Sequence, residues 1–246
     1  MNYDVLSPVY DSMTQNVDYE KRCAVVDGLL QQNNVKGIVL DAGCGTGTLA
    51  LLLAKRGYDM IGVDCSQGML SAAYAKSAAA GTDIRWLCQD LQKLDLYGTV
   101  KAVVSLQDTV NHLPGEAALE QALARFSLFT EPGGLLIFDC NTEYKHRAVM
   151  GGNTFVAESA AGFCVWQNAY EPQERRVLLT VDVFTRQGSL YRRATDRFYE
   201  YTYSEELLRA VLARQGYEVL SCADGETFGP ATATTQRLLF CARKCK

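Results

Sequence analysis

The strongest chemical signal in the chain is one run of ten residues, Val39-Leu40-Asp41-Ala42-Gly43-Cys44-Gly45-Thr46-Gly47-Thr48. An apolar run delivers an acid, glycines follow at alternate positions, and a helix-compatible stretch begins. Glycine at such a turn permits positive φ angles and lets the main chain come close to a ligand resting on it. Two details narrow what that ligand is. The dinucleotide fingerprint G-x-G-x-x-G requires a third glycine at position 48, where this chain has Thr48. Asp41, two residues before the first glycine, would repel a pyrophosphate and attract an ammonium. The predicted ligand is therefore a nucleoside that bears an amino acid, rather than a dinucleotide.

Further along, other residues have the types such a ligand needs. Asp64 stands 17 residues after Gly47, with Cys65 beside it, at the end of the next apolar run. An acid there can accept hydrogen bonds from both ribose hydroxyls. Met69 is placed to pack on a purine face, although methionine at this spacing reads equally well as core. In Gln89-Asp90-Leu91, Asp90 can accept from an exocyclic amine and the Leu91 N–H can serve a ring nitrogen. Ser105-Leu106-Gln107 should line the amino-acid end, together with Gly43, Cys44 and Gly45. After it come Asp108 and His112, the candidates for a proton acceptor, with Tyr10 behind them. His146 has no comparable context.

These residues need a frame that gathers them. Strands are predicted at 37–40, 58–64, 84–89, 100–106 and 135–139. Helices are predicted from Thr48 to Arg56, from about 67 to Ala80 with Ser66 as cap, and from Glu116 to Thr130, with Pro132-Gly133-Gly134 as the turn before the fifth strand. Alternation of this kind implies a parallel sheet covered on both faces. It places every candidate at the carboxyl ends of strands, where open α/β sheets bind ligands. From about Thr154 to Tyr203 the pattern changes to four β-like runs, with turns at Ala160–Ala161, Pro172–Glu174 and Gln187-Gly188-Ser189. A helix from Ser204 to Gln215 and strands at 217–222 and 237–243 return the chain to α/β. The expected fold is α/β: a Rossmann-like, doubly wound, seven-stranded and mostly parallel sheet. Residues 1–151 and 204–246 form that domain, and 152–203 form an antiparallel β insertion.

DAGCGTG, the acid at Asp64, QDL at 89–91 and PGG before LIFD together resemble class I S-adenosylmethionine-dependent methyltransferases. Tyr3, Tyr10, the VDYEKR stretch at 17–22 and Asp139-Cys140-Asn141-Thr142 resemble a bacterial small-methyltransferase subgroup. The resemblance implies that the glycine turn holds the methionine portion, the second acid the ribose and the third-strand acid the adenine. It also implies that the N-terminal segment lies over the cofactor. The expected cofactor is S-adenosyl-L-methionine, with S-adenosyl-L-homocysteine as product. Gln107-Asp108-Thr109-Val110 stands where nucleic-acid amino-methylating enzymes carry D/N-P-P-Y, so an adenine or cytosine base in nucleic acid is disfavoured as acceptor.

Composition bounds the rest. The 246 residues carry 24 basic and 28 acidic side chains, a balance that argues against broad phosphate-backbone binding. No apolar stretch approaches the roughly 18 residues of a membrane span, and the first residues do not read as a secretory signal. Nine scattered cysteines without a C-x-x-C pair predict reduced thiols in the cytoplasm and no metal site. The insertion has six arginines against six acids and carries many aromatics, among them Phe163, Trp166, Phe198, Tyr199 and Tyr201. It is expected beside the carboxyl edge of the main sheet, either as a lid or as the interface of a homodimer; otherwise the chain is a monomer. The expected function is methyl transfer from the sulfonium to an O, N or C atom of a small molecule. The alternatives are a protein or RNA acceptor, or a catalytically silent cofactor-binding module.

Overall fold

Residues 5–159 and 162–245 are described by the computed structural model. Tyr3 and the Ala160–Ala161 turn lie outside the described residues. Two helices that the sequence reading did not assign come first: α1 (Tyr10–Met13) and α2 (Tyr19–Gln32). Their signal is present. The Asp18 side chain accepts from the Lys21 N–H as N-cap, and Cys23, Val26 and Leu30 lie buried on one face of α2. The alternating units follow as β1 (Ile38–Ala42), α3 (Thr48–Lys55), β2 (Asp59–Asp64), α4 (Gln67–Ala80), β3 (Arg85–Cys88), β4 (Val100–Ser105), α5 (Glu116–Phe129) and β5 (Thr130–Asn141). The fifth strand is longer than predicted. Pro132-Gly133-Gly134 does not turn the chain into it but lies inside it, where the pairing with β4 jumps from Val100–Thr130 to Ala102–Leu135.

The insertion contributes β6 (Thr154–Ser159), β7 (Gly162–Glu171), β8 (Arg176–Gln187) and β9 (Leu190–Tyr201), and the chain ends in α6 (Glu205–Arg214), β10 (Tyr217–Asp224) and β11 (Arg237–Lys244). The main sheet has the order β10-β11-β5-β4-β1-β2-β3, with β11 antiparallel to both neighbours. The chain moves outward from β1 in one direction through β2 and β3, then returns to β4 on the other side. The turns after β1 and β4 therefore diverge and leave a crevice at the carboxyl ends. Each face of this sheet has its own apolar core, one with α5 and α6 and one with α2, α3 and α4.

The second sheet is an antiparallel meander in chain order, β6-β7-β8-β9. One face is buried, and the N-terminal segment helps to cover it. Leu6, Val9 and Met13 pack with Cys164, Val177, Val181, Val183 and Phe198 in a third apolar cluster. The two sheets are joined by buried polar bonds. The Asn111 amide donates to the Asn141 carbonyl at 3.1 Å and to the Tyr201 carbonyl at 2.9 Å. Glu200 of β9 accepts from Asn141 Nδ2 at 3.0 Å and lies 3.0 Å from His146 Nε2.

Candidate functional site

Gly43, Gly45 and Gly47 all adopt positive φ, at 78°, 52° and 75°. Two of them are needed for packing. A Cβ at Gly43 would lie 2.3 Å from Thr109, and one at Gly47 would lie 2.4 Å from the Trp86 ring. At Gly45 a Cβ would meet nothing within 4 Å. That open space is part of a cavity of about 460 Å³, bordered also by Gly43, Asp64, Cys65, Met69, Gln89, Asp90, Leu91, Tyr10, Gln107 and His112. A second, small cavity of about 40 Å³ shares Tyr10, Gly43, Gly45 and Gln107 with it and adds Asp41, Cys44 and Leu106. Of the residues predicted to touch the cofactor, Ser105 borders neither cavity, since its buried hydroxyl donates to the Ala42 carbonyl at 2.8 Å; the others among the described residues border one of the two.

Asp41 is 3% exposed, and its Oδ2 has no hydrogen-bond partner among the described residues. Burial, reinforced by the nearby Asp64 carboxylate, pushes its carboxyl up to about 7. A buried acid with an unused oxygen is what an ammonium would satisfy. Asp64 is held rigidly: Oδ2 accepts the Gly45 N–H at 2.9 Å and Oδ1 the Ser66 N–H at 2.8 Å. Burial raises its carboxyl above the ordinary value, while the Ser66, Gly45 and Cys65 N–H groups pull the other way. Asp64 also borders the main cavity. Asp90 caps a short turn through the Gln92 N–H at 2.9 Å, and Ser66 caps α4 through the Met69 N–H at 3.2 Å. An orphaned buried acid, an open glycine cradle and a braced second acid together fit a ligand with an ammonium, a ribose and a base.

The proton-acceptor candidates separate. Asp108 borders neither cavity. Arg237 Nη2 donates to it at 2.6 Å, and Arg237 Nη1 donates to Asp139 at 3.0 Å. Burial alone would raise the Asp108 carboxyl, but Arg237, Lys145 and His112 overcome this and hold it well below the carboxylate range. A carboxylate so tightly paired is a poor proton acceptor. The Tyr10 phenol is raised by burial and by Tyr19, so it stays protonated. His112 borders the main cavity, with its ring edge-on to Phe198 at 5.6 Å between centroids. His146, by contrast, is fully buried between Thr202 and Glu200. Asp108, His112 and Glu200 bring possible metal-ligating atoms within 4.8 Å of one another. The two carboxylates are already engaged, one by Arg237 and the other by His146 and Asn141, so we assign them no metal.

Tyr19 and Arg22 of α2 border the small cavity, and Asp196, Arg197, Phe198, Tyr199 and Tyr201 of β9 wall the large one. Nothing in the sequence singles out Asp196 and Arg197 among these, whereas the others belong to the 17–22 stretch or to the insertion aromatics expected there. A latch also ties α1 to the glycine turn. Thr46 donates to Asp11 at 2.6 Å, and Lys76 reaches Asp11, Thr46 and Thr48 at 2.8, 2.9 and 2.8 Å. The Asp18 cap could have announced α2. Nothing local announces contacts made 30 to 190 residues away.

Residues 39–134 match a family profile described as a methyltransferase domain. YqeM of Bacillus subtilis (strain 168), provisionally named a methyltransferase, is 27% identical over 100% of this chain and 98% of its own. The crystal structure of an S-adenosylmethionine-dependent methyltransferase from Clostridium acetobutylicum ATCC 824 is similar with a TM-score of 0.88 at 28% identity, covering 98% of both chains. CalS10, an amino pentose methyltransferase from Micromonospora echinaspora solved with S-adenosylmethionine bound, shares the fold with a TM-score of 0.75 at 21% identity, over 96% of each chain.

Proposed function

We propose that the chain is a class I S-adenosylmethionine-dependent methyltransferase, the reading that these similarities support, and that its acceptor is a small molecule, methylated on O, N or C. One observation carries this reading. The main cavity, at about 460 Å³, lies between the glycine turn on one side and an aromatic wall of Phe198, Tyr199 and Tyr201 on the other. That volume is within the range of small-molecule sites, and a wall on the acceptor side leaves little room for a folded macromolecule. The formal charge of −4 also disfavours a nucleic-acid partner.

When bound, S-adenosylmethionine supplies an already activated methyl group: its C–S bond breaks as the bond to the acceptor forms, and the electron pair stays on sulfur. The chain's own residues then need only bind, align and exclude water. Asp41 binds the ammonium, with Cys44 and Leu106 beside it. Asp64 accepts from the ribose hydroxyls, Asp90 and Leu91 read the base, and Met69 packs on its face. Tyr10 and Gln107 stand where both cavities meet and close the amino-acid end. His112 takes the proton that an oxygen or nitrogen acceptor must lose. None of the nine cysteines is in a disulfide, which supports work in the reducing cytoplasm.

The test is incubation with methyl-labelled cofactor and a cell extract split into small-molecule, protein and RNA fractions. Label is expected in the small-molecule fraction. Label in protein or RNA instead would overturn the acceptor class. Binding of S-adenosylhomocysteine with no transfer to any fraction would make the chain a silent binding module.

A further inference from the structure

A third cavity, of about 270 Å³, shares Arg22 and Gln107 with the small one and is lined by α2 and the residues before it, by Lys145 beyond β5 and by the β10–β11 connection. Lys21, Arg22, Lys145 and Arg237 all line it, with Asp18 and Glu226 as its acids. The two guanidinium groups are engaged. Arg22 Nη2 lies 2.9 Å from both oxygens of Glu226, and Arg237 is paired with Asp108 and Asp139. The two lysines differ. Among the described residues neither ammonium has a carboxylate within 4.0 Å. Lys145 donates to the neutral Asn141 Oδ1 at 2.8 Å, and Lys21 to the main-chain carbonyl of Glu226 at 3.0 Å. Gln107 lines this cavity and both others. Its Nε2 is buried with no hydrogen-bond partner among the described residues. Its main chain is also strained into a positive φ of 57°, as is that of Asp108 at 53°. Non-glycine residues persist there only when the surroundings enforce it, and such strain gathers at ligand sites.

We propose that this cavity holds a carboxylate of the methyl acceptor, gripped by Lys145 and by the Gln107 amide, so that the acceptor's reactive atom lies on the far side of Gln107, facing the cofactor. The inference rests on the small-molecule reading above and deepens it. Lys145 offers N–H donors beyond the one spent on Asn141, and Gln107 offers an unspent pair. Buried donors without acceptors are costly, and a carboxylate accepts from both. The cations around the cavity are largely balanced, since Arg237 is paired with Asp108 and Asp139 and Arg22 with Glu226, which leaves the Lys145 ammonium to pair with a single negative charge. The cofactor's own amino-acid carboxylate is the other possible source. A cavity of about 270 Å³ is far larger than that group alone would fill.

The test has three arms. Saturation-transfer NMR on the full chain, loaded with S-adenosylhomocysteine, compares the methyl signals of acetate, acetamide and methylphosphonate. Acetate should show contact that acetamide and methylphosphonate lack. Lys145→Gln should abolish it, and Lys145→Arg should retain it. No contact with acetate, or contact that Lys145→Gln leaves intact, overturns the proposal. In the second arm, S-adenosylhomocysteine affinity should stay within about threefold in Lys145→Gln, since the charge-assisted bond lost belongs to the acceptor. A fall of about tenfold or more would assign the carboxylate to the cofactor and overturn the acceptor site. In the third arm, labelled products from the small-molecule fraction should be retained on an anion exchanger at neutral pH. Unretained labelled product overturns the carboxylate while leaving the small-molecule reading intact. No labelled small molecule at all overturns that reading, and the acetate arm still decides the pocket. Lys21→Gln, a change at a partly exposed ammonium, guards against misfolding at position 145: it should weaken acetate contact without removing it, and full-strength contact in this variant counts against the site.

Discussion

Asp41 and Asp64 are both acids in one crevice, yet their surroundings give them different work. Asp64 is braced by main-chain N–H groups, those of Gly45 and Ser66 among them. Asp64→Ala therefore loses the ribose acceptor and also releases the Gly45 amide. Its S-adenosylhomocysteine affinity, read by calorimetry, should fall by roughly 1–3 kcal/mol, with the fold retained. Asp41 has an oxygen with nothing to accept, and its carboxyl is pushed up to about 7. The sign of its pH effect follows. Between about 4 and 7 the folded chain holds a proton that the unfolded chain has released, so this group's contribution to stability falls as pH rises through that window. Ligand binding runs the opposite way, because an ammonium needs the carboxylate. S-adenosylhomocysteine affinity should rise up to about tenfold per pH unit below 7, because one proton is released on binding. It should fall again at more alkaline pH, where the ligand's own ammonium loses its proton. Asp41→Asn should remove the acidic limb and leave only the alkaline one. An acidic limb that survives in this variant would place the titrating group elsewhere.

At the scale of elements, the glycine turn shows which parts of the site local sequence can carry. Its conformation and its acid lie within ten residues, so the residues that line the cavities around the turn were legible from Asp41, Gly43 and Gly45 outward. The same locality made β1, β2, α4 and the four insertion strands legible, because each has its own periodicity and turn residues. The rest depends on long reach. Asp108 reads as a base until Arg237, 129 positions later, pairs with it. Glu200 and His146 lie far apart in sequence and touch only because β9 folds back over β5. Two alanine replacements separate ligand space from packing space. Gly45→Ala strains a residue at φ 52° but meets no neighbour, so it should cost roughly 1–2 kcal/mol in thermal denaturation while cutting S-adenosylhomocysteine affinity at least about tenfold. Gly62→Ala in β2 would set its Cβ 2.2 Å from the Trp86 ring, with no positive φ and no ligand involved. It should lower stability by roughly 1–3 kcal/mol or more through overpacking. Adding Trp86→Leu should recover part of that loss, since the two positions are coupled through one contact. Equal stability losses in the two glycine variants, with equal ligand affinities, would mean that the open side of Gly45 is not ligand space.

For the whole molecule, the question is what the second sheet does for the first. It is not a free flap. Its buried face packs on Leu6, Val9 and Met13, its last strand bonds to Asn141 and His146 through Glu200, and α1 beneath it is latched to the glycine turn. Removing residues 152–203 would therefore strip the cover from α1 and open the main cavity at once, and any loss of turnover would have two causes. A single wall residue is the cleaner probe. Tyr199 borders the main cavity, and the Arg176 guanidinium lies 4.1 Å from its ring centroid. Arg176 is in turn fixed by Glu171 at 2.6 Å. The ring is thus a stiff piece of wall on β9, away from Asp41 and from the N–H groups that brace Asp64. If the wall serves the acceptor, Tyr199→Ala should reduce kcat/KM for the labelled small-molecule product by about tenfold or more, mainly through KM. S-adenosylhomocysteine affinity should stay within about tenfold, a difference of roughly 1.4 kcal/mol. Tyr199→Phe keeps the ring and its contact with Arg176, so it should behave like the parent chain. Equal losses of turnover and cofactor affinity in Tyr199→Ala would reassign the second sheet from acceptor wall to cofactor clamp, because only a residue that touches the cofactor lowers both together.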